Sequence, residues 1–377
     1  MRVLVLASLY PHAQNETLGL STHRRTVELA KRCPVRVVAL TGRSDLPERE
    51  EYGGVEVVRP RWRRVPKLGV FLDGYRYAAR IARVVEDLRE QDDFDLIDAH
   101  WLYPDAFAAV RLGQRLGKPV VVTGRGSDVD EFLFRWPVRR FARATLRGAA
   151  QLVALTRRHR EKMIEAGAAG ERIAVIPNGV DTALFCPGDR AEARQALGLP
   201  PDGVVLLSAG SIVHDKGYHH LIRGLATLGG EGRLYVAGPG GYRGALERLA
   251  RDCGVAERVA FLGRVAQGQM PLWYRAADLF CFGSYHEGCP NAVLEALACG
   301  TPVVSTDVGG IPDLVEEGRS GILFKPRSDE AFVAALRTAL ERPWDRAEIA
   351  ALGAGRSWAH VAAEYFALFE RLMVGKP

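Results

Sequence analysis

Residues 287 to 300 read Glu-Gly-Cys-Pro-Asn-Ala-Val-Leu-Glu-Ala-Leu-Ala-Cys-Gly. Two carboxylates, Glu287 and Glu295, stand eight positions apart with Gly288 and Pro290 between them, and an apolar helix pattern follows. Proline suits the first helical position, because its missing N–H would have no partner there. Gly300 suits the stop, since glycine accepts the left-handed conformation that ends helices. The spacing therefore predicts Glu287 in the loop before a short helix and Glu295 about one turn inside it. The first amides of a helix lack intrahelical acceptors and form a natural anion site. Amides for a phosphate, flanked by carboxylates that accept hydroxyl protons, are what a nucleoside diphosphate sugar requires. The same residues also occur around helix starts for capping alone, so the neighbouring segments decide.

Outward from this stretch, apolar strand candidates lie on both sides, Leu279–Phe282 before it and Val303–Ser305 after it. Similar runs recur through the whole chain. In the first half they are Val3–Ala7, Val35–Leu40, Val55–Val58, Asp95–Ala99, Val120–Thr123, Leu152–Leu155 and Ile173–Ile176. The second half adds Val204–Ala209, Leu234–Ala237, Val259–Leu262 and Gly321–Phe324. They are apolar throughout rather than alternating, as parallel strands covered on both faces require. Helical patterns at Tyr75–Arg89, Ala191–Leu197, Leu221–Leu228 and Phe332–Leu340 lie between them. Strand–helix alternation of this kind predicts an α/β fold with parallel sheets. The pattern runs twice, with a break of turn formers at Pro177-Asn178-Gly179 and Pro187-Gly188-Asp189. The expected domains are 1–178 and 179–356. A last helix, 357–377, carries Trp358, Tyr365, Phe366 and Phe369 and is expected to return to the first domain. Open parallel sheets bind ligands at the carboxyl ends of their strands, and two such sheets facing a central cleft would place the ligand in that cleft.

Composition agrees with a soluble globular chain: 377 residues, 47% apolar and 25% charged, with no apolar run long enough to span a bilayer. The start, Met-Arg-Val-Leu-Val-Leu-Ala-Ser, is too short in its apolar run for a signal peptide and reads as a buried first strand. The six cysteines show no paired spacing, which favours free thiols and a cytoplasmic location over disulfides or zinc. Charge is uneven. Residues 1–180 hold 31 Lys+Arg against 22 Asp+Glu, a net +9, whereas the remainder carries −3. Basic stretches with aromatic residues among them, Arg59–Lys67 with Trp62 and Arg135–Arg147 with Trp136 and Phe141, suit an anionic inner membrane face or a phosphate-bearing acceptor. A further basic stretch runs from Arg157 to Lys162. No nucleic-acid-binding motif is present, and no nucleic acid partner is expected.

With these residues on the page, residues 287–304 resemble the signature of the family 4 glycosyltransferases of the GT-B fold. Val175 to Phe185 is similar to their interdomain segment, and Gly210-Ser-Ile-Val-His-Asp-Lys-Gly217 to the first loop of their second domain. Phe261-Leu-Gly-Arg-Val and Ala277-Asp-Leu-Phe also fit. Ala99 to Asp105 and Thr123 to Asp128 resemble the subgroup that builds cell-surface polysaccharides such as teichuronic acid. The resemblance implies two Rossmann-like domains and retaining transfer of a sugar from a UDP- or GDP-sugar to a polysaccharide, lipid-linked or small-molecule acceptor, with no metal and no cofactor. It implies that Glu287 contacts the donor sugar and supports an oxocarbenium-like transition state, that Glu295 accepts from ribose hydroxyls, and that Lys216 binds phosphate. Amides around Gly288, Cys289, Pro290 and Asn291 would hold the diphosphate. Gly19 would let the backbone approach the donor, and Gly263 and Arg264 would meet its base. An arginine of the family is replaced by Ser211, so Arg125, Arg264 or His214 would have to supply that charge. His100, Arg125 and Asp128 are the acceptor-side candidates.

Other readings predict other features. A metal-dependent transferase needs an Asp-x-Asp pair, and Asp93/Asp95 and Asp128/Asp130 have that spacing. A nicotinamide dehydrogenase needs Gly-x-Gly-x-x-Gly, but Gly238 to Gly244 carries Arg243 at the final glycine position. A nucleotide-sugar epimerase can share the two-domain shape, and a non-catalytic saccharide-binding protein would tolerate loss of Glu295.

Overall fold

The structure is a computed structural model that describes residues 1–62, 69–228, 230 and 232–374. Arg63, Arg64 and Lys67 of the first basic stretch lie outside the described residues, as does the tip of the closing helix from 375 onward. The chain forms two compact units, Met1–Gly179 with Trp358–Pro377, and Val180–Ser357.

The first unit is built on eight strands: β1 (Val3–Leu6), β2 (Val35–Val38), β3 (Arg49–Tyr52), β4 (Val55–Val58), β5 (Leu96–His100), β6 (Val120–Thr123), β7 (Gln151–Ala154) and β8 (Ile173–Val175). They lie in the order β3-β4-β2-β1-β5-β6-β7-β8. All neighbours are parallel except β3, which runs antiparallel to β4. The sequence reading did not include β3. Three of its four residues are charged and none is fully buried, so it lacks the apolar run of an interior strand. It forms because Gly53 and Gly54, at φ 62° and 77°, turn the chain in the two-residue hairpin that positive φ permits.

Successive side chains of β1 serve opposite faces, as the strand pleat dictates. Leu4 and Leu6 join one apolar core, and Val3 and Val5 the other. That second core is closed by the helix Trp358–Val374, whose Trp358, Val361, Tyr365, Leu368 and Phe369 recur at helical spacing and are buried. The helix Leu20–Ala30 packs beside it.

The second unit has six parallel strands: β9 (Val205–Ala209), β10 (Arg233–Ala237), β11 (Val259–Gly263), β12 (Leu279–Phe282), β13 (Val303–Thr306) and β14 (Gly321–Phe324). Their order, β11-β10-β9-β12-β13-β14, is that of a Rossmann sheet, which reverses direction of growth between β9 and β12. In the first unit the reversal falls between β1 and β5. No helix among the described residues is long and apolar enough to cross a membrane. All six cysteines are free, and Cys33, Cys281, Cys289 and Cys299 are buried.

Candidate active site

In the second unit, β9 and β12 lie side by side at the reversal, and their carboxyl-end loops carry the sequence-selected residues. The loop after β9 runs from Gly210 to Gly217 and ends in the helix Tyr218–Thr227. Lys216 stands in it, one residue before the left-handed Gly217 (φ 64°). A Cβ on Gly217 would lie 1.9 Å from the carbonyl oxygen of Gly283, so only glycine lets these two loops touch. The loop after β12 holds Glu287 and leads into the helix Asn291–Ala298.

These loops bring Lys216 Nζ to Glu287 Oε1 at 2.5 Å, with the lysine side chain 26% exposed and the glutamate 9%. The ammonium also lies 5.4 Å from the centroid of the Phe282 ring. Glu287 is held from behind by the loop after β13: the Gly310 amide donates to the Gly288 carbonyl at 3.0 Å. Gly309, at φ 58°, approaches so closely that a Cβ there would overlap the Glu287 carbonyl oxygen at 1.7 Å. Pro290 is not the first helical residue, as the sequence pattern predicts. It is the N-cap, in extended conformation with ψ 114°, so the helix begins at Asn291. The reason is local: the residue before a helix keeps extended dihedrals, and proline's fixed φ fits that position as well as the next. Gly300, at φ 76°, follows the last turn. Glu295 lies on the fifth helical residue, and its Oε2 accepts from the Tyr274 hydroxyl at 2.9 Å.

Ser211 is exposed, and so is Arg264 directly after β11. Gly263 at the end of β11 accepts from the Gly238 amide at 2.7 Å, which ties the glycine loop after β10 to the same edge. Two residues escaped the sequence reading. Tyr274 was missed because its contact with Glu295 bridges two helices. Tyr218 is buried, its hydroxyl has no hydrogen-bond partner among the described residues, and its pKa is pushed above the ordinary tyrosine range by burial and then by Glu287. Beside Lys216, the Asp215 carbonyl accepts the Tyr285 amide at 2.8 Å. The Tyr285 hydroxyl meets His219 Nε2 and His220 Nε2, both at 2.8 Å, which braces the lysine loop against its own helix.

The first unit has a polar cluster at its own reversal. His100 ends β5 and is fully buried. Its Nε2 faces Arg25 Nη2 at 2.8 Å and its Nδ1 faces Arg125 Nε at 3.2 Å. A neutral imidazole has one lone pair, so it accepts from one arginine at a time. Burial pushes its pKa down to about 3, against the opposing pull of Asp98. Arg25 pairs with Asp98 and lies 4.3 Å over the Tyr365 ring. Arg25 Nε and Nη1 and Asp98 Oδ1 have no hydrogen-bond partner among the described residues. Arg125 further donates to Asn178 Oδ1 at 3.2 Å and to Thr22 Oγ1 at 2.8 Å. Arg125 is thus fixed within the first unit by three partners. Asp128 is fully buried, and its oxygens accept backbone amides of Leu102, Arg125 and Gly126 at 2.8 to 2.9 Å. It holds two loops together and does not present a carboxylate to solvent, because three amide donors offset the cost of burying the charge. Gly19 caps the helix Leu20–Ala30 in the left-handed conformation. Asp93 pairs with Arg89 and Lys118 on the surface, and Asp130 with Lys162. Among the described residues no cluster of three or more His, Cys, Asp or Glu could hold a metal ion.

Comparison with known proteins follows the same division. The sequence profile for Glycosyltransferase Family 4 matches residues 20–184, and that for Glycosyl transferases group 1 matches residues 189–354. The chain is 29% identical over 357 residues to a protein named as a teichuronic acid biosynthesis glycosyltransferase of Bacillus subtilis (strain 168), covering 89% of this chain and 88% of that one. It is 33% identical over 340 residues to a D-inositol 3-phosphate glycosyltransferase of Acidothermus cellulolyticus, covering 84% and 75%. Among solved structures, HepE of Anabaena in complex with UDP superposes with a TM-score of 0.80 at 23% identity, over 98% of this chain and 100% of that one. The sucrose-phosphate synthase of Thermosynechococcus elongatus gives 0.81 at 21% identity, over 100% of both chains. The two parallel-sheet units therefore have the fold of the GT-B class.

Proposed function

The chain belongs to the family 4 glycosyltransferases, and from that premise we propose that it moves a sugar from a nucleoside diphosphate donor to an acceptor hydroxyl with retention of configuration. The second unit is read as the donor side and the first as the acceptor side. The observation that carries this reading is the meeting of Lys216 and Glu287 at 2.5 Å where β9 and β12 end, beside the start of the helix Asn291–Ala298. A diphosphate placed there competes with Glu287 for the ammonium. It also meets the positive end of a helix dipole.

In the reaction, the C1–O bond to the diphosphate breaks and its electron pair stays on the phosphate oxygen. Lys216 and the helix amides stabilise that growing charge, which lowers the barrier because they are already oriented. Glu287, released from the lysine, faces the positive character that develops at C1. The acceptor oxygen bonds C1 on the face the phosphate leaves, and its proton passes to the departing phosphate oxygen. Glu295, fixed by Tyr274, accepts from ribose hydroxyls. His214, in the lysine loop, Arg264 after β11 and Arg125 in the first unit are the cations available in place of the family arginine at Ser211. No metal ion or cofactor takes part, and the enzyme works at the cytoplasmic face of a membrane.

HepE has been crystallised with UDP and with UDP-glucose, which makes UDP-sugars the first donors to try. Nucleotide release from a panel of UDP- and GDP-sugars, with and without saccharide acceptors, tests the reading, with the product anomer assigned by proton NMR. The expected result is release that depends on acceptor and a product anomer matching the donor. Conversion of donor without acceptor would show an epimerase, binding without turnover a saccharide-binding protein, and an inverted anomer a different mechanism.

A further inference from the structure

The first unit contains a pocket of about 600 Å³ at the carboxyl ends of its strands. Ser8 follows β1, Leu40 and Gly42 follow β2, Trp62 follows β4, and Tyr103 and Pro104 follow β5, all lining it. It therefore occupies the crevice at the reversal of strand order, where open α/β sheets place ligands.

Its walls are mostly flat and apolar. Tyr77 is locked by donating its hydroxyl to the buried Asp105, which also accepts the Ser8 amide and hydroxyl at 2.8 Å each. Trp62 stands edge-on to Tyr77 at 5.3 Å, and the Tyr103 hydroxyl accepts the Gly74 amide at 2.9 Å. Among the polar lining groups are Asp73, nearly fully buried, and Arg135. Fixed aromatic faces suit the C–H face of a pyranose, and a carboxylate and guanidinium suit its hydroxyls.

The mouth of the pocket differs from its floor. From Tyr103 an aromatic path leads outward: Tyr103 stacks on Phe141 at 5.1 Å, and Phe141 and Phe107 both reach Tyr75, at 6.2 and 5.3 Å. Tyr75 is 46% exposed, Leu72 50% and Trp136, a pocket wall, 63%. Exposed apolar side chains beside a pocket mark a surface that is covered in use. The charge beside them says by what: residues 132–148 hold five arginines and no acidic residue. Arg111 adds its guanidinium 4.9 Å above the Tyr75 ring. Tryptophan and tyrosine with arginines around them match the headgroup layer of an anionic bilayer. A water-soluble polysaccharide would call for neither.

We propose that this pocket takes the sugar headgroup of a lipid-borne acceptor, and that the aromatic and arginine surface at its mouth docks on anionic phospholipid. The proposal rests on reading the chain as a glycosyltransferase whose acceptor meets the first unit. It narrows that acceptor to an amphiphile.

The full chain is sedimented with vesicles of phosphatidylcholine containing phosphatidylglycerol, and with vesicles of phosphatidylcholine alone. Binding is expected only to the anionic vesicles. It should weaken at least about tenfold in Arg139→Glu/Arg140→Glu, since each basic side chain near such a surface contributes about a fivefold factor, and severalfold in Trp136→Ser. Unchanged melting curves separate these losses from misfolding. In a second arm, nucleotide release is measured with a glycoside carried on an alkyl phosphate in the same vesicles, and with that glycoside free in solution. The lipid-borne form should show a KM at least about tenfold lower, with the gap narrowed in Trp136→Ser. The proposal is overturned if the wild-type chain ignores anionic vesicles, or if the variants bind them equally. It is also overturned if the free glycoside serves as well. Melting shifts with UDP-sugars are read on the same samples. Donor binding without vesicle binding rejects this proposal alone, and absence of donor binding rejects the transferase reading.

Discussion

Lys216 and Glu287 are 71 residues apart in sequence and 2.5 Å apart in space, and the account assigns them opposite ends of one bond-breaking step. Replacing Lys216 by Ala removes the cation aimed at the leaving diphosphate. It should lower kcat/KM by about 10²- to 10³-fold, the scale of a lost oxyanion contact. Glu287→Gln keeps the shape and the contact to Lys216 but not the charge, and a similar loss is expected with little change in melting temperature. Steady-state kinetics of the two purified variants check this, and values within about threefold of wild type would remove both residues from the mechanism. These two residues were readable because lysine beside glycine and glutamate before a helix are local patterns. Tyr274 and Tyr218 were not, because each acquires its meaning from a contact across elements. His100 and Asp128 were readable as polar residues at strand ends. Their burial, with Arg25 and Asp98 beside one and backbone amides around the other, appears only once the strands are side by side.

At the level of elements, the interior strands could be read from their unbroken apolar runs, whereas β3 could not, because its residues are charged and half exposed. The helix Leu20–Ala30 shows no apolar stripe, since its buried face is Thr22, Arg25, Thr26 and Leu29. The loops that hold the site were visible only as glycines. Gly309 gives the sharpest test of that packing. An alanine there must take a left-handed backbone and drive its Cβ into the Glu287 carbonyl, so the loop after β13 has to move and Glu287 with it. Gly309→Ala should reduce turnover at least about tenfold and destabilise the second unit by about 1 kcal/mol or more. Kinetics with a urea titration read both, and a variant that matches wild type in each would show that this loop does not position Glu287.

For the whole molecule, three histidines set a pH dependence. Burial lowers His23 and His219 to about 4 and His100 to about 3, with nearby positive charge assisting in each. In the unfolded chain they titrate near 6.5. Their contribution to stability is therefore complete above that pH and is lost as pH falls towards 4, because the unfolded state binds protons that the native state refuses. Asp105 acts in the opposite sense: burial raises it to about 6, so it favours the native state as pH drops from 7 to 5. One carboxyl does not offset three imidazoles. The melting temperature should fall by at least about 4 °C between pH 7 and pH 5, and a flat or rising profile would contradict these environments. Activity should survive excess EDTA, since Lys216 and helix amides carry the diphosphate. Loss on chelation with recovery on manganese would place a metal in the reaction. The central claim is that the donor diphosphate binds where Lys216 meets Glu287, and calorimetric titration of UDP-sugars and GDP-sugars into the wild-type chain and Lys216→Ala tests it most directly. The account predicts that at least one nucleotide sugar binds the wild type and that its Kd rises at least about tenfold in the variant, as loss of a charge-assisted contact requires. Equal affinity for both proteins would contradict it.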